Sequence, residues 1–138
     1  MNEVELKNRT KQFSLRMMKL VGALPSNATG RAIGNQLVRC GTAVGANYRA
    51  ACRSRSQAEF VAKLGVVEEE ADESAYWLEL VIEGKLVKAV LVSSLLKEAD
   101  ELTRIFTKSV ISARARRDAV KSKIPNPKSK ISPPPANA

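Results

Sequence analysis

Arginine is the residue type in this sequence best suited to chemistry with a partner. Arg31, Arg39, Arg49 and Arg53 recur within the segment Arg31–Arg55. On a helix turning roughly 100° per residue they fall within about 80° of one another. Arg114, Arg116 and Arg117 form a second group. A guanidinium stays charged and presents a planar fork of donors that matches phosphate oxygens. No acidic residue interrupts the chain between Ser26 and Gln57, and the whole chain has a formal net charge of +9. A surplus of that size favours polyanionic partners and says nothing about fold. The plain alternative is a solvated surface, and cations at a helix C-terminus also complement its dipole. The sharper expectation is that all seven arginines contact a nucleic-acid backbone.

Other chemistries lack their parts. The sequence contains no histidine, which removes the commonest general base and metal ligand. Glu69 with Glu73, or Glu68 with Asp72, has the spacing to share a divalent ion through oxygens, but such carboxylate runs more often form a solvated face. Cys40 and Cys52 lie on one predicted helix, about 18 Å apart, too far for a disulfide. They fit a reducing cytoplasm. The N-terminal segment alternates charged and apolar residues rather than forming a signal peptide, and no apolar run is long enough to span a membrane. These readings predict a cytoplasmic, non-enzymatic protein with no cofactor, metal or membrane association.

The elements that must position the arginines read as four helices. In the second, Ile33, Leu37, Cys40, Val44 and Ala51 repeat in steps of three and four, with Asn47 filling the one gap. Asn47 is expected on this core seam, fixing register. Gly34, Gly41, Gly45 and Cys52 fall within about 40° beside it. Glycine inside a helix costs about 1 kcal/mol relative to alanine, so the three predict a close backbone approach. An intramolecular helix and a second subunit are equally open as the approaching surface.

The first helix runs from about Glu3 to Leu24 on Leu6, Thr10, Phe13, Met17, Leu20 and Leu24, and Pro25 ends it. Ser26 or Asn27 caps the second. A capping box at Ser56 and Glu59 opens the third, whose seam is Phe60, Leu64, Val67, Ala71, Ser74, Leu78 and Val81, with Gly84 as its stop. Glu68, Asp72, Glu79 and Glu83 line one flank of it. The fourth starts between Val87 and Leu91, buries Val92, Leu95, Ala99, Leu102, Phe106 and Val110, and ends near Arg117. From Asp118 onward the pattern gives way to proline, lysine and serine, the composition of a disordered segment. The expected architecture is all-α: an antiparallel up-down-up-down four-helix bundle over 1–117 with a disordered basic tail over 118–138.

The segments GNQLVRCGTAVGANYRAACRSRSQAEFVAKLG and VEEEADESAYWLEL resemble the bacterial four helix bundle proteins, also called 23S ribosomal RNA intervening-sequence proteins. The resemblance covers roughly Phe13 to Ile111, with its specific core at Gly34 to Leu80. It implies an up-down-up-down bundle and a ring-shaped homopentamer, encoded within ribosomal RNA genes or elsewhere on bacterial chromosomes. A more distant likeness is to the accessory protein of diversity-generating retroelements, a pentameric bundle that binds a reverse transcriptase and nucleic acid. Where many members read Ala-Asn-Ile-Ala-Glu-Gly, this chain reads Ala46-Asn47-Tyr48-Arg49-Ala50-Ala51, losing the acidic position and gaining an arginine.

Two functions follow as expectations. One is an RNA-associated binding module acting through Arg31, Arg39, Arg49, Arg53, Arg114, Arg116 and Arg117. The other is a structural or adaptor homo-oligomer that holds a protein partner, with Gly34, Gly41, Gly45 and Asn47 at close contacts and the basic second helix facing the acidic third helix of a neighbour.

Overall fold

The computed structural model describes residues 1–123; the tail expected to be disordered lies, from residue 124 on, outside the described residues. Three of the four helices open where a side chain satisfies amides that a first turn leaves free. Asn2 Oδ1 accepts the Glu5 amide at 2.8 Å, and the Glu5 carboxylate accepts the Asn2 amide at 3.3 Å, opening α1 (Glu3–Gly22). Asn27 Oδ1 accepts the Gly30 amide at 2.8 Å and opens α2 (Ala28–Cys52). Ser56 Oγ accepts the Glu59 amide at 3.1 Å and opens α3 (Gln57–Glu83). The return arm of that box differs from expectation: Glu59 accepts the Arg55 amide at 3.0 Å.

Gly84 caps α3, and Lys85 takes the left-handed conformation (φ 54°), which lets the Leu86 amide reach the Val81 carbonyl at 3.0 Å. A short 3₁₀ turn, Ala89–Leu91, leads into α4 (Ser93–Lys123). Both ends of α4 correct the sequence reading. It starts later, because the 3₁₀ turn occupies the expected first turn. It also runs past Arg117 to Lys123, which moves the expected boundary at 117. Asp118 to Lys123 contains no helix breaker, and the first proline beyond is Pro125.

Each helix packs on the next in sequence, with α1 meeting α4 along a thin edge. The four seams converge on a core in which Phe13, Met17, Leu37, Val44, Leu64, Val67, Leu78, Leu102 and Phe106 are fully buried. Four seam assignments change, and of these Leu24 and Ile33 are half-buried at the edge of the core. Val61 is buried where Phe60 was expected, and Phe60 is half-buried. Asn47 leaves the core: it is half-buried, and its Nδ2 donates to the Ala43 carbonyl of its own helix at 2.8 Å. Tyr48 is buried instead, its ring 5.4 Å from that of Phe106. Burying an aromatic ring stabilises the core, whereas a buried amide must find partners for all its polar atoms.

Gly34, Gly41 and Gly45 of α2 face α1 of the same chain, which decides the question left open by the sequence. A Cβ on Gly41 would lie 2.6 Å from Met17 Cγ, one on Gly34 3.2 Å from Val21 Cγ1, and one on Gly45 3.4 Å from the Thr10 backbone. Ser14 Oγ donates to the Gly41 carbonyl at 3.0 Å across this contact. The edge between α1 and α4 is closed by charge. Arg9 donates through Nε and Nη2 to Glu98 at 2.8 and 2.7 Å, and through Nη2 to Glu101 at 2.7 Å. The Glu98 hydrogen bond raises the Arg9 pKa above its ordinary value. Among the described residues no helix is long and apolar enough to cross a membrane.

Two predictions follow from this packing. Gly41→Ala must displace Met17 and is expected to lower stability by about 1–3 kcal/mol. Gly65→Ala in α3, where nothing lies within 4 Å of the added methyl, is expected to raise it by about 1 kcal/mol. Urea denaturation followed by circular dichroism separates the two; equal effects of the same sign would contradict a specific α1–α2 approach. Arg9→Met should cost about 1–3 kcal/mol by leaving Glu98 and Glu101 without their donor. Arg9→Lys should recover only part of that loss, because a lysine keeps the charge without the fork.

Candidate nucleic-acid interface

Antiparallel packing decides which cations become neighbours. The C-terminal ends of α2 and α4 lie together, beside the start of α1 and the start of α3. Gln57 Nε2 marks this end by donating to the Ala113 carbonyl at 3.2 Å. Arg49 borders a cavity of about 360 Å³ with Val4, Lys7, Asn8 and Lys11 of α1. Arg53 caps α2, its amide bonded to the Ala50 and Ala51 carbonyls, and its side chain is exposed. Arg55 follows in the α2–α3 connection. Among the described residues none after Ala113 is buried, so α4 continues for ten residues, roughly 15 Å, past its last core contact. Arg114 and Arg116 are exposed on this extension, which also carries Lys121 and Lys123. Arg117 is partly covered, and its Nε donates to Asp118 at 3.1 Å.

Carboxylates at this end are engaged locally. Glu3 pairs with Lys7 at 3.0 Å, Glu5 closes the α1 cap, and Glu59 pairs with Lys63 at 2.9 Å. The Lys63 hydrogen bond, with the Arg55 amide behind it, holds Glu59 below the usual carboxylate range.

The seven arginines named from the sequence therefore do not form one surface. Arg49, Arg53, Arg114 and Arg116, with Arg117 partly covered, share one end. Arg31 sits at the other, by the α1–α2 turn with Gly22, Pro25 and Gly34. Arg39 lies midway and is exposed, but it is paired within the chain: it bonds Glu73, Glu70 at 3.3 Å and Gln36 at 3.1 Å. Burial raises the pKa of Glu70 despite Arg39. Gly34, Gly41 and Gly45 face α1, and Asn47 faces its own helix, so none of these four belongs to the basic end.

Lysines at this end were missed by a reading confined to arginine. Lys7 and Lys11 of α1 join Arg49, and Lys108 joins Arg116 around a second cavity. The signal for Lys108 is present in the sequence: Arg104, Lys108, Ser112 and Arg116 recur every four residues and so trace one stripe of α4.

The remaining reactive groups are occupied or suppressed. Cys40 is buried and Cys52 half-buried; both are free, and burial pushes both thiols up. A thiol kept protonated is a poor nucleophile. Burial also raises the Tyr48 pKa, well above its ordinary value. Glu73 accepts from Arg39 and from Trp77 Nε1, the latter at 3.0 Å, and Glu68 accepts from Thr107 at 2.5 Å. Among the described residues, no group of three or more carboxylates or thiols is placed to hold a metal ion.

Arg39→Ala is expected to cost less than about 1 kcal/mol, since exposed ion pairs contribute little. It should leave retention on a heparin column unchanged, whereas Arg114→Ala with Arg116→Ala should elute at lower salt. Earlier elution of the Arg39 variant would contradict its neutralisation by α3.

A family model described as 23S rRNA-intervening sequence protein matches residues 2–108. The fold is similar to a crystal structure of a protein of unknown function from the S23 ribosomal protein family of Bacteroides thetaiotaomicron, with 28% identity and a TM-score of 0.71 over 76% of this chain and 97% of that one. No curated protein matches the sequence. The family match spans α1 to α3 and the first half of α4, and with the shared bundle fold it establishes that this chain belongs to the 23S rRNA-intervening sequence protein family.

Proposed function

We propose that the protein is a non-enzymatic, oligomeric binding module of the cytoplasm that holds RNA against the basic end of its bundle. The observation that carries this reading is the convergence of Arg49, Arg53, Arg114 and Arg116 with Lys11 and Lys108, at an end whose carboxylates are engaged locally. The ribosomal RNA setting in the family name favours RNA over DNA. Guanidinium and ammonium groups on helix ends reach phosphates, so binding is expected to be largely independent of sequence. In the pentameric ring that the family resemblance implies, five copies of the basic end would add through multivalency. The free thiols Cys40 and Cys52 fit a reducing compartment.

A second reading, an adaptor homo-oligomer that holds a protein partner, is favoured by a different face. Leu15 and Met18 of α1 and Val38 of α2 are exposed at 49%, 52% and 37%. An apolar strip of this kind suits contact with another protein surface. The ionic version of this reading, with α2 of one subunit facing acidic α3 of the next, loses Arg39, which pairs with α3 of its own chain.

Fluorescence anisotropy of a labelled single-stranded RNA across a salt series, run beside a measurement of oligomeric mass, tests both. The log affinity should fall linearly with log salt, by about 0.7 per neutralised phosphate. Replacing Arg49, Arg53, Arg114 and Arg116 by alanine should flatten the slope without changing the mass. An intact oligomer with no salt-sensitive RNA binding at low ionic strength would overturn the RNA reading and leave the adaptor.

A further inference from the structure

The basic end contains a cavity of about 310 Å³ to which all four helices contribute. This lies at the lower end of the range for small-ligand sites, about 300–1,000 Å³. Leu6 and Leu64 supply aliphatic wall, and Tyr48 and Phe60 supply two aromatic rings. Tyr48 is held in place by its contact with Phe106. Phe60 was displaced from the core by Val61, and its half-buried ring borders the cavity. Lys108 and Arg116 flank it from α4, with Ser112 between them. They are eight residues apart, roughly 12 Å along the helix. Among the described residues neither cation is paired with a carboxylate.

From this geometry we infer that the cavity is a nucleotide pocket: it takes one unstacked base of a single-stranded RNA against Phe60, while Lys108 and Arg116 hold the phosphates on either side. The inference rests on the RNA reading above and deepens it, since it specifies single strands and a site. Aromatic faces beside cations form the usual platform for single-stranded nucleic acid, because every base has a π-face and every linkage a charge. A duplex keeps its bases stacked and cannot offer one to the cavity. An acidic peptide would use the same cations, but the basic surface continues beyond the cavity through Arg114, Lys121 and Lys123 on the α4 extension. That extent suits a repeating phosphate backbone better than one acidic side chain.

The test compares the full chain with Phe60→Leu and Ser112→Phe. The first variant removes the ring and keeps an aliphatic side chain. The second blocks the mouth from an exposed position outside the core, and circular dichroism verifies both folds. Affinities are measured for a single-stranded 20-nucleotide RNA, a perfect RNA duplex and polyglutamate at one salt concentration. Both variants should bind the single strand about five-fold or more weakly, with the salt slope and the duplex affinity unchanged. Unchanged single-strand affinity in the folded variants would overturn the pocket and leave the phosphate reading standing. Equal loss for duplex and single strand would also overturn it, as would polyglutamate competing as well as RNA at equal charge. No salt-sensitive RNA binding by the unaltered protein would overturn the RNA reading, and the pocket with it.

Discussion

At the centre of the α1–α2 contact, α2 has no side chain. A Cβ on Gly41 would fall 2.6 Å from Met17 Cγ, and the vacant position lets Met17 lie directly on the α2 backbone while Ser14 bonds the Gly41 carbonyl at 3.0 Å. Dispersion weakens steeply with separation, so widening this contact by a methyl group would loosen Met17 and the Phe13 beside it, both fully buried. The approach of α1 to α2 also sets where the far flank of α1 falls. That flank presents Arg9 to Glu98 and Glu101 of α4, at the edge where few apolar groups meet. Close packing on one side of α1 and charge-assisted hydrogen bonds on the other together close the bundle.

The same arrangement distributes the charge. Many carboxylates serve the structure: Glu98 and Glu101 hold Arg9, Glu70 and Glu73 hold Arg39, Glu68 accepts from Thr107, and Glu3, Glu5 and Glu59 are engaged at the N-terminal turns of α1 and α3. Cations exceed the acids available to them: one group of uncompensated ones lies where α2 and α4 end, while others, Arg31 and Lys19 among them, lie at the opposite end. Helix C-termini are negative ends of the macrodipole, so cations there are stabilised by the helices that carry them. That local role does not consume them, because a solvated guanidinium keeps most of its donors for a ligand. A structural preference of each helix end becomes a surface property once two such ends lie side by side.

The aromatic residues at this end show how packing alters local pattern. Seam spacing assigns Phe60 to the core and leaves Tyr48 unassigned, and the structure reverses both. Each residue sits one position from the one it exchanges places with, Val61 and Asn47 respectively. Which of two adjacent positions turns inward depends on the helices opposite, and Phe106 of α4 is what receives Tyr48. Nothing within a turn of Tyr48 encodes that contact.

The sequence by itself determined whatever depends on neighbours within about a turn. The caps at Asn27 and Ser56, the stop at Pro25, nearly all the buried positions of α1, α3 and α4, and the need for a close approach at Gly34, Gly41 and Gly45 were legible because amide satisfaction and helical period are local. The surplus of cations was legible as well, since it is a sum. The tertiary structure alone decided that the glycines face α1, that Arg39 is neutralised while Arg49 and Arg53 are not, and that the cations of α2 and α4 share an end. The end of α4 was misread although the residues Asp118 to Lys123 permit a helix, because amphipathic pattern disappears where a helix leaves its core. Arg39 and Glu73 are 34 residues apart, and Arg9 and Glu98 are 89 apart. Contacts over such separations depend on the relative placement of whole helices, which follows from the packing of all four seams together and is not contained in the period of any one of them.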